Sequence, residues 1–245
     1  MNNYFSFKQF TVWQERTAMK VGTDGVLLGV LAAAPQYSVN APSTFERILD
    51  IGTGTGLVAL ILAQRFPTAL IDAIDIDADA TLQAADNFAK SPWPDRLNAT
   101  CRDVTTLSAT HGYDLIVCNP PYFNNSLKCP DNQRSVARHT DTLSYADLAS
   151  AVVRLLNPNG RFVVILPTDS FDAFLTVARP LGLQCTSKTD IFPTPTKASK
   201  RIVAELILSA SDICTQIFSL VIEEARHVYT SDFKSLTLDF YLDRK

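Results

Sequence analysis

Leu49-Asp50-Ile51-Gly52-Thr53-Gly54-Thr55-Gly56 ends one apolar run and opens another. The run before it, residues 47–51, is short and aliphatic like a buried strand. The run after it, residues 57–66, has the length and composition of a helix. Glycines at alternate positions between a strand and a helix let the backbone turn sharply and lie close to a ligand at the helix N-terminus. The G-x-G-x-G spacing differs from the dinucleotide pattern G-x-G-x-x-G, and no phosphate-binding lysine follows, which argues against NAD and ATP.

The same alternation continues outward. Residues 69–75, 97–102, 113–118 and 161–166 read as strands, and 78–90, 143–156 and 170–181 as helices, with Asn157-Pro158-Asn159-Gly160 ending the second of these. Apolar strands spaced by helices predict a mostly parallel sheet with helices on both faces, an α/β Rossmann-like architecture. Two late strands, 184–191 and 202–209, have no helix-length segment between them and are expected to pair antiparallel, completing a seven-stranded sheet.

Upstream, residues 4–11 and 18–21 read as short strands. Residues 26–34 read as an apolar helix with Thr23 or Asp24 as N-cap, and 35–44 as a linker loop. The tail, residues 213–245, combines an amphipathic stretch with Tyr229, Phe233, Phe240 and Tyr241, and is expected to pack onto the rest. The chain is thus read as one domain, 1–245: an N-terminal extension (1–45) over the cofactor site, a core (46–210) and a C-terminal extension (211–245).

Composition narrows the function classes. The chain has 245 residues, 47% of them hydrophobic and 19% charged, which suits a packed globular protein. A net charge of −3 gives no global basic signature, so a nucleic-acid partner needs a local patch. Five scattered cysteines without a CxxC pair argue against a disulfide framework and a zinc site. His111 and His227 have no neighbours in sequence that suggest a metal. The N-terminus lacks an apolar signal core, and 26–34 is too short to span a bilayer. A cytoplasmic protein without metal or membrane partner is expected, and a monomer.

Each strand that follows the glycine loop ends in chemistry. Residues 73–77 read Ala-Ile-Asp-Ile-Asp, which puts Asp75 at a strand tip where it can accept hydrogen bonds from both hydroxyls of a ribose. Asp77 is better placed to cap the next helix. The third strand ends in Cys101-Arg102-Asp103, where a carboxylate can accept from an adenine amino group. Singly, Asp50 could anchor a loop and Asp103 form a turn. Three such tips in a row point to a nucleoside site.

The fourth strand ends in Asn119-Pro120-Pro121-Tyr122. Two prolines remove two backbone donors and fix two φ angles, which makes a rigid, kinked loop. The loop offers two acceptors, the Asn119 side-chain oxygen and the Pro120 carbonyl, and a ring, Tyr122, for a flat base to stack on. An exocyclic adenine amine is a poor nucleophile because its lone pair is delocalised into the ring. Two acceptors on its two hydrogens favour pyramidal nitrogen, an interaction that strengthens toward the transition state.

These residues together resemble the class I S-adenosylmethionine-dependent methyltransferases that modify exocyclic or amide nitrogens. Asn-Pro-Pro-Tyr is shared by adenine and glutamine N-methyltransferases of that class. Narrower matches are Ala18-Met19-Lys20-Val21-Gly22-Thr23-Asp24-Gly25-Val26-Leu27-Leu28-Gly29, Ala137-Arg138-His139-Thr140 with Leu143, and Tyr229-Thr230-Ser231-Asp232-Phe233 with Leu236-Thr237 and Asp239-Phe240-Tyr241-Leu242. Through them nearly the whole chain resembles the bacterial tRNA1(Val) adenine N6-methyltransferases. The resemblance implies methyl transfer from S-adenosylmethionine to the adenine immediately 3′ of the anticodon (position 37) in tRNA. It implies a cofactor set of Thr23, Asp24, Asp50, Gly52, Thr53, Gly54, Gly56, Asp75, Ile76, Asp103 and Asn119, and a catalytic set of Asn119, Pro120, Pro121 and Tyr122.

Basic residues gather in two places, Lys128, Arg134, Arg138 and His139 after the fourth strand, and Lys197, Lys200 and Arg201 before the last. Arg134, Arg138, His139, Lys197, Lys200 and Arg201 are candidate RNA contacts. A neutral amine attacking a sulfonium methyl needs no base beforehand, so His139 is read as an RNA or structural contact. Three rivals remain. A release-factor glutamine methyltransferase carries a sizeable helical domain before its glycine loop, whereas 51 residues precede Gly52 here. A DNA adenine methyltransferase normally needs a target-recognition insertion, and none is visible. A non-catalytic RNA-binding module is opposed by intact Asp50, Asp75 and Asn-Pro-Pro-Tyr.

Overall fold

The structure is a computed structural model of the chain. It describes residues 2–17, 19–32, 34–39, 44–108, 110–121 and 143–242. A hairpin, β1 (Tyr4–Ser6) and β2 (Thr11–Trp13), precedes helix α1 (Thr23–Ala32). Then come β3 (Arg47–Ile51), α2 (Leu57–Arg65), β4 (Leu70–Asp75), α3 (Ala78–Ala89), β5 (Leu97–Cys101) and β6 (Tyr113–Cys118). The described chain resumes before α4 (Tyr145–Leu155) and continues through β7 (Leu156–Pro167), α5 (Phe171–Ala178), β8 (Leu183–Phe192) and β9 (Arg201–Leu208). The C-terminal part adds β10 (Gln216–Val221), the hairpin β11 (Glu223–Ala225) and β12 (Val228–Tyr229), and α6 (Ser231–Thr237).

The main sheet has the order β10-β8-β9-β7-β6-β3-β4-β5. Strands β5, β4, β3, β6 and β7 are parallel, and β9 is antiparallel to both of its neighbours, β7 and β8. Eight strands stand where seven were expected. The extra one, β10, comes from the C-terminal segment and pairs parallel with β8 at the sheet edge. Its sequence, Gln-Ile-Phe-Ser-Leu-Val, is the amphipathic stretch of the tail, and its outer face stays partly exposed, which left it without the apolar signature of the inner strands.

Strand residues alternate between two cores, as period-2 geometry requires. Ile48, Ile71, Leu115 and Val163 join one core with α1, α2 and α3, while Leu49, Ile116, Phe162 and Val164 join the other with α4 and α5. On the first face α1 crosses α2 closely, since a Cβ on Gly29 would lie 2.8 Å from Ile61 Cγ2. No helix among the described residues is long and apolar enough to cross a membrane.

Several boundaries differ from the sequence reading. Residues 4–11 are not one strand but the first arm, the turn and the start of the second arm of a hairpin, and 19–21 are not a strand but a bend where Lys20 Nζ donates to the carbonyls of Gln14 and Thr17. Helix α1 begins at Thr23, so neither Thr23 nor Asp24 holds the cap position. Asn157–Gly160 does not end a helix in a loop. It lies within β7, where the register with β6 slips between Leu156 and Arg161.

The linker after α1 is pinned to the sheet by a buried polar group. Arg161 and Glu205 form a close ion pair. Ser38 Oγ donates to Glu205 (2.5 Å), Thr186 Oγ1 donates to it (3.0 Å), and an Arg161 N–H reaches the Val39 carbonyl at 2.8 Å. At the opposite end of the chain, Tyr241 meets Phe5 and Phe7, stacking on Phe7 at 5.9 Å, and packs in turn against Phe233 and Tyr229. The expected packing of the tail is therefore aromatic, and it joins both termini.

Candidate active site

Register sets the site. Ile51 pairs with Ile74 on one side and Cys118 on the other, and Asp75 pairs with Cys101. Gly52, Asp75 and Asn119 therefore leave the sheet at one level, from adjacent strands about 4.8 Å apart. Strand β3 is also where the order reverses, with β4 and β5 on one side and β6 and β7 on the other. In open α/β sheets the crevice at that point is the ligand site.

The three glycines of the loop have different reasons. All three have positive φ, at 71°, 55° and 80° for Gly52, Gly54 and Gly56. A Cβ on Gly52 or Gly54 would meet nothing within 4 Å, so the backbone there faces open space. A Cβ on Gly56 would meet Phe88 Cε1 at 2.5 Å, so that glycine lets α2 start tightly against α3.

Two carboxylates brace the loop. Asp75 Oδ2 accepts from the Gly54 N–H (2.9 Å) and Oδ1 from the Asp77 N–H (3.0 Å). These bonds fix the carboxylate and still leave lone pairs for a ligand. Asp50 is buried beneath the loop and accepts from Thr53 Oγ1 at 2.7 Å. Burial pushes its carboxyl up to about 7, against the lowering effect of hydrogen bonds from Thr53 and the Ala59 N–H. Cys118, beside it at the end of β6, is likewise buried, and its thiol is held well above its ordinary value by desolvation, an inert neighbour.

The remaining predicted residues differ in where the structure places them. Asp77 caps α3, accepting from the Asp79 and Ala80 N–H groups, as its position suggested. Ile76 is 65% exposed at the β4 tip, an apolar surface beside Asp75, while Asp103 is exposed and accepts from the Thr105 N–H in a turn. Asn119, Pro120 and Pro121 follow β6 directly, with Pro120 buried and Pro121 exposed. Tyr122, Arg134, Arg138 and His139 lie outside the described residues. At the far side of the edge, Arg201 Nε donates to Asp24 Oδ2 at 2.9 Å, which joins a predicted RNA contact to a predicted cofactor residue. Lys197 and Lys200 are exposed on the β8–β9 connection.

Sequence reasoning missed the amides that hold the N-terminal hairpin beside the loop. Asn87 is fully buried and binds the Trp13 N–H, the Trp13 carbonyl and the Thr55 carbonyl, all within 2.9 Å. Gln83 Oε1 accepts from the Glu15 and Arg16 N–H groups. Their signal was present: amides at positions 83 and 87 share one face of a helix otherwise lined there by Ala84 and Phe88. No group of His, Cys, Asp or Glu among the described residues could hold a metal ion.

Known proteins resemble this arrangement at two levels. The Methyltransferase small domain family matches residues 26–167, more than half of the chain. A tRNA1(Val) (adenine(37)-N6)-methyltransferase of Phocaeicola vulgatus is 49% identical over 242 residues, covering 99% of each chain. The chain belongs to the tRNA1(Val) adenine N6-methyltransferase family. A relative of the same name from Trichodesmium erythraeum is 45% identical, over 98% of each chain. The Dickeya chrysanthemi relative is 41% identical, over 97% of this chain and 94% of its own. Among solved structures, a predicted O-methyltransferase from Agrobacterium tumefaciens superposes with a TM-score of 0.64 at 19% identity, over 89% of this chain and 99% of that one. The glycopeptide N-methyltransferase MtfA, complexed with S-adenosyl-L-homocysteine, gives 0.55 at 11% identity, over 74% and 90%. These two share the class I methyltransferase fold with this family.

Proposed function

We propose that the protein transfers a methyl group from S-adenosylmethionine to N6 of adenine 37 in tRNA1(Val). The near full-length identity of 41–49% to relatives of that name carries the reading. A glutamine-modifying enzyme with the same Asn-Pro-Pro-Tyr loop is disfavoured by that same match.

The residues at the strand tips suit the cofactor. Open space over Gly52 and Gly54 admits a ligand against bare backbone, and Asp75 offers acceptors for ribose hydroxyls. Exposed Ile76 gives an apolar rest for an adenine ring, and Asp103 an acceptor at its rim. Asp50, with Thr53, props the loop from below. When bound, S-adenosylmethionine supplies an electrophilic methyl on a sulfonium. The Asn119 side-chain oxygen and the Pro120 carbonyl accept from the two hydrogens of the target amine. They hold its lone pair toward the methyl and stabilise the positive charge that grows on nitrogen. Pro120 and Pro121 keep those acceptors in place at low ordering cost, and Tyr122 stacks on the flipped base. No side chain is required to remove a proton before attack.

RNA contacts are assigned to Arg134, Arg138, His139, Lys197 and Lys200, with Arg201 also tied to Asp24. Bulk tRNA from a strain lacking the protein, incubated with purified protein and S-adenosylmethionine, should gain N6-methyladenosine by nucleoside mass spectrometry. No gain in any adenosine would overturn the assignment.

A further inference from the structure

A second cleft opens at the end of β8, between the β8–β9 connection, the start of α1 and the C-terminal hairpin. Its volume is about 260 Å³, and Thr23, Thr194, Lys197, Glu223, Tyr229 and Tyr241 are among its walls. β8 and β7 are both antiparallel to β9, so the end of β8 lies on the same sheet edge as Asn119. Three strand spacings, roughly 14 Å, separate the tips of β6 and β8. That volume falls below the ~300–1,000 Å³ of drug-sized ligand pockets, so the cleft suits one base better than a whole cofactor.

Its chemistry is that of a nucleotide site. Tyr229, Phe233 and Tyr241 give the cleft aromatic walls, with the two tyrosine rings packed on each other at 6.4 Å, 16° from parallel. An ammonium and a carboxylate line the same cleft, yet neither Lys197 Nζ nor the Glu223 carboxylate is hydrogen-bonded or ion-paired among the described residues. Opposite charges that line one cleft and find no partner among the described residues fit a ligand that is itself divided, anionic at one end and rich in donors at the other. A nucleotide whose base carries an exocyclic amine has that form.

We propose that this cleft holds one unpaired nucleotide of the RNA substrate, close to the adenine that is methylated. Lys197 contacts its phosphate and Glu223 accepts from the exocyclic amine of its base, as carboxylates do from cytosine N4. Adenine, cytosine and guanine meet this requirement and uracil does not. The cleft thus reads the sequence next to the target, a role that rests on the RNA-adenine reading above.

Glu223 makes the idea testable by sign. If it merely faced an RNA backbone, removing its negative charge would lower the KM for tRNA. If it accepts a base amine, Glu223→Ala raises that KM about tenfold, the worth of one charge-assisted hydrogen bond, with kcat and S-adenosylmethionine affinity unchanged. Lys197→Gln lowers the salt slope of tRNA binding by about one, and Glu223→Ala leaves it alone. Melting curves confirm that both variants fold. A tRNA with an abasic residue at one loop position near the target should reproduce the tenfold loss, and Glu223→Ala should add nothing on that substrate. A KM that falls or holds in Glu223→Ala, or losses that add at every abasic position, overturns the cleft while leaving the enzyme's assignment intact. Wild-type protein that methylates no tRNA takes both down.

Discussion

At the β3–β5 half of the sheet, Asp75 is fixed by two backbone N–H groups, the farther only 21 residues away. At the β7–β10 half, Asp24 meets Arg201 across 177 residues, and Ser38 meets Glu205 across 167. The first half builds its ligand edge from a short motif whose geometry is local. The second builds its edge from side chains that only the finished fold brings together. Cofactor binding should therefore survive damage to the far half, and the far half should survive loss of the cofactor motif.

The largest effect tests the first clause. Glu205→Ala leaves the Arg161 guanidinium buried without its carboxylate and strips Ser38 of its acceptor, while Thr186 keeps only the backbone carbonyl of residue 205. It should cost about 3–5 kcal/mol of stability, read by denaturant unfolding, while the folded variant keeps its S-adenosylmethionine affinity. An equal loss of cofactor affinity would mean the halves are not separable. Next, Asn119→Ala should lower kcat at least ~10²-fold with cofactor affinity nearly intact, because its acceptor matters most as the amine pyramidalises. Turnover at the wild-type rate removes Asn119 from catalysis. Asp75→Ala should weaken S-adenosylmethionine binding by about 1.5–3 kcal/mol in calorimetry. Unchanged affinity in the folded variant would take Asp75 out of the site.

The gentlest test uses pH. Asp50 has its folded pKa raised from 3.8 to about 7. Between those values the folded protein keeps a proton that the unfolded chain has lost, so stability from this group is full below the unfolded value and fades as pH rises through about 7. The slope can reach at most ~1.4 kcal/mol per pH unit. Asp50→Asn should flatten the stability profile in that window, measured without cofactor. A profile as steep as that of the wild type would place the titration elsewhere.

The same contrast explains what could be read from the chain in advance. Gly52, Gly54, Asp75 and Asp77 act through their own backbone neighbours, so spacing alone located them, and Asp77 caps α3 as its position suggested. The parallel core followed from apolar runs of strand length. The eighth strand escaped because β10 has one covered face and reads as amphipathic. Asn87 and Glu205 escaped for another reason. Their partners, Trp13 and Arg161, lie 74 and 44 residues away, and no local pattern marks a buried polar group whose partner is distant. Arg201, read as an RNA contact, has in Asp24 a partner that charge counting along the sequence could not supply.

The position of the methyl group tests the central claim most directly. Purified protein, S-adenosylmethionine and unmodified tRNA1(Val) should be combined, and the product digested and mapped by mass spectrometry of its fragments. A single methyl on the adenine immediately 3′ of the anticodon, absent from the Asn119→Ala reaction, is the expected result. Methyl on other adenines, or on a glutamine-containing release-factor peptide and not on the tRNA, would contradict it.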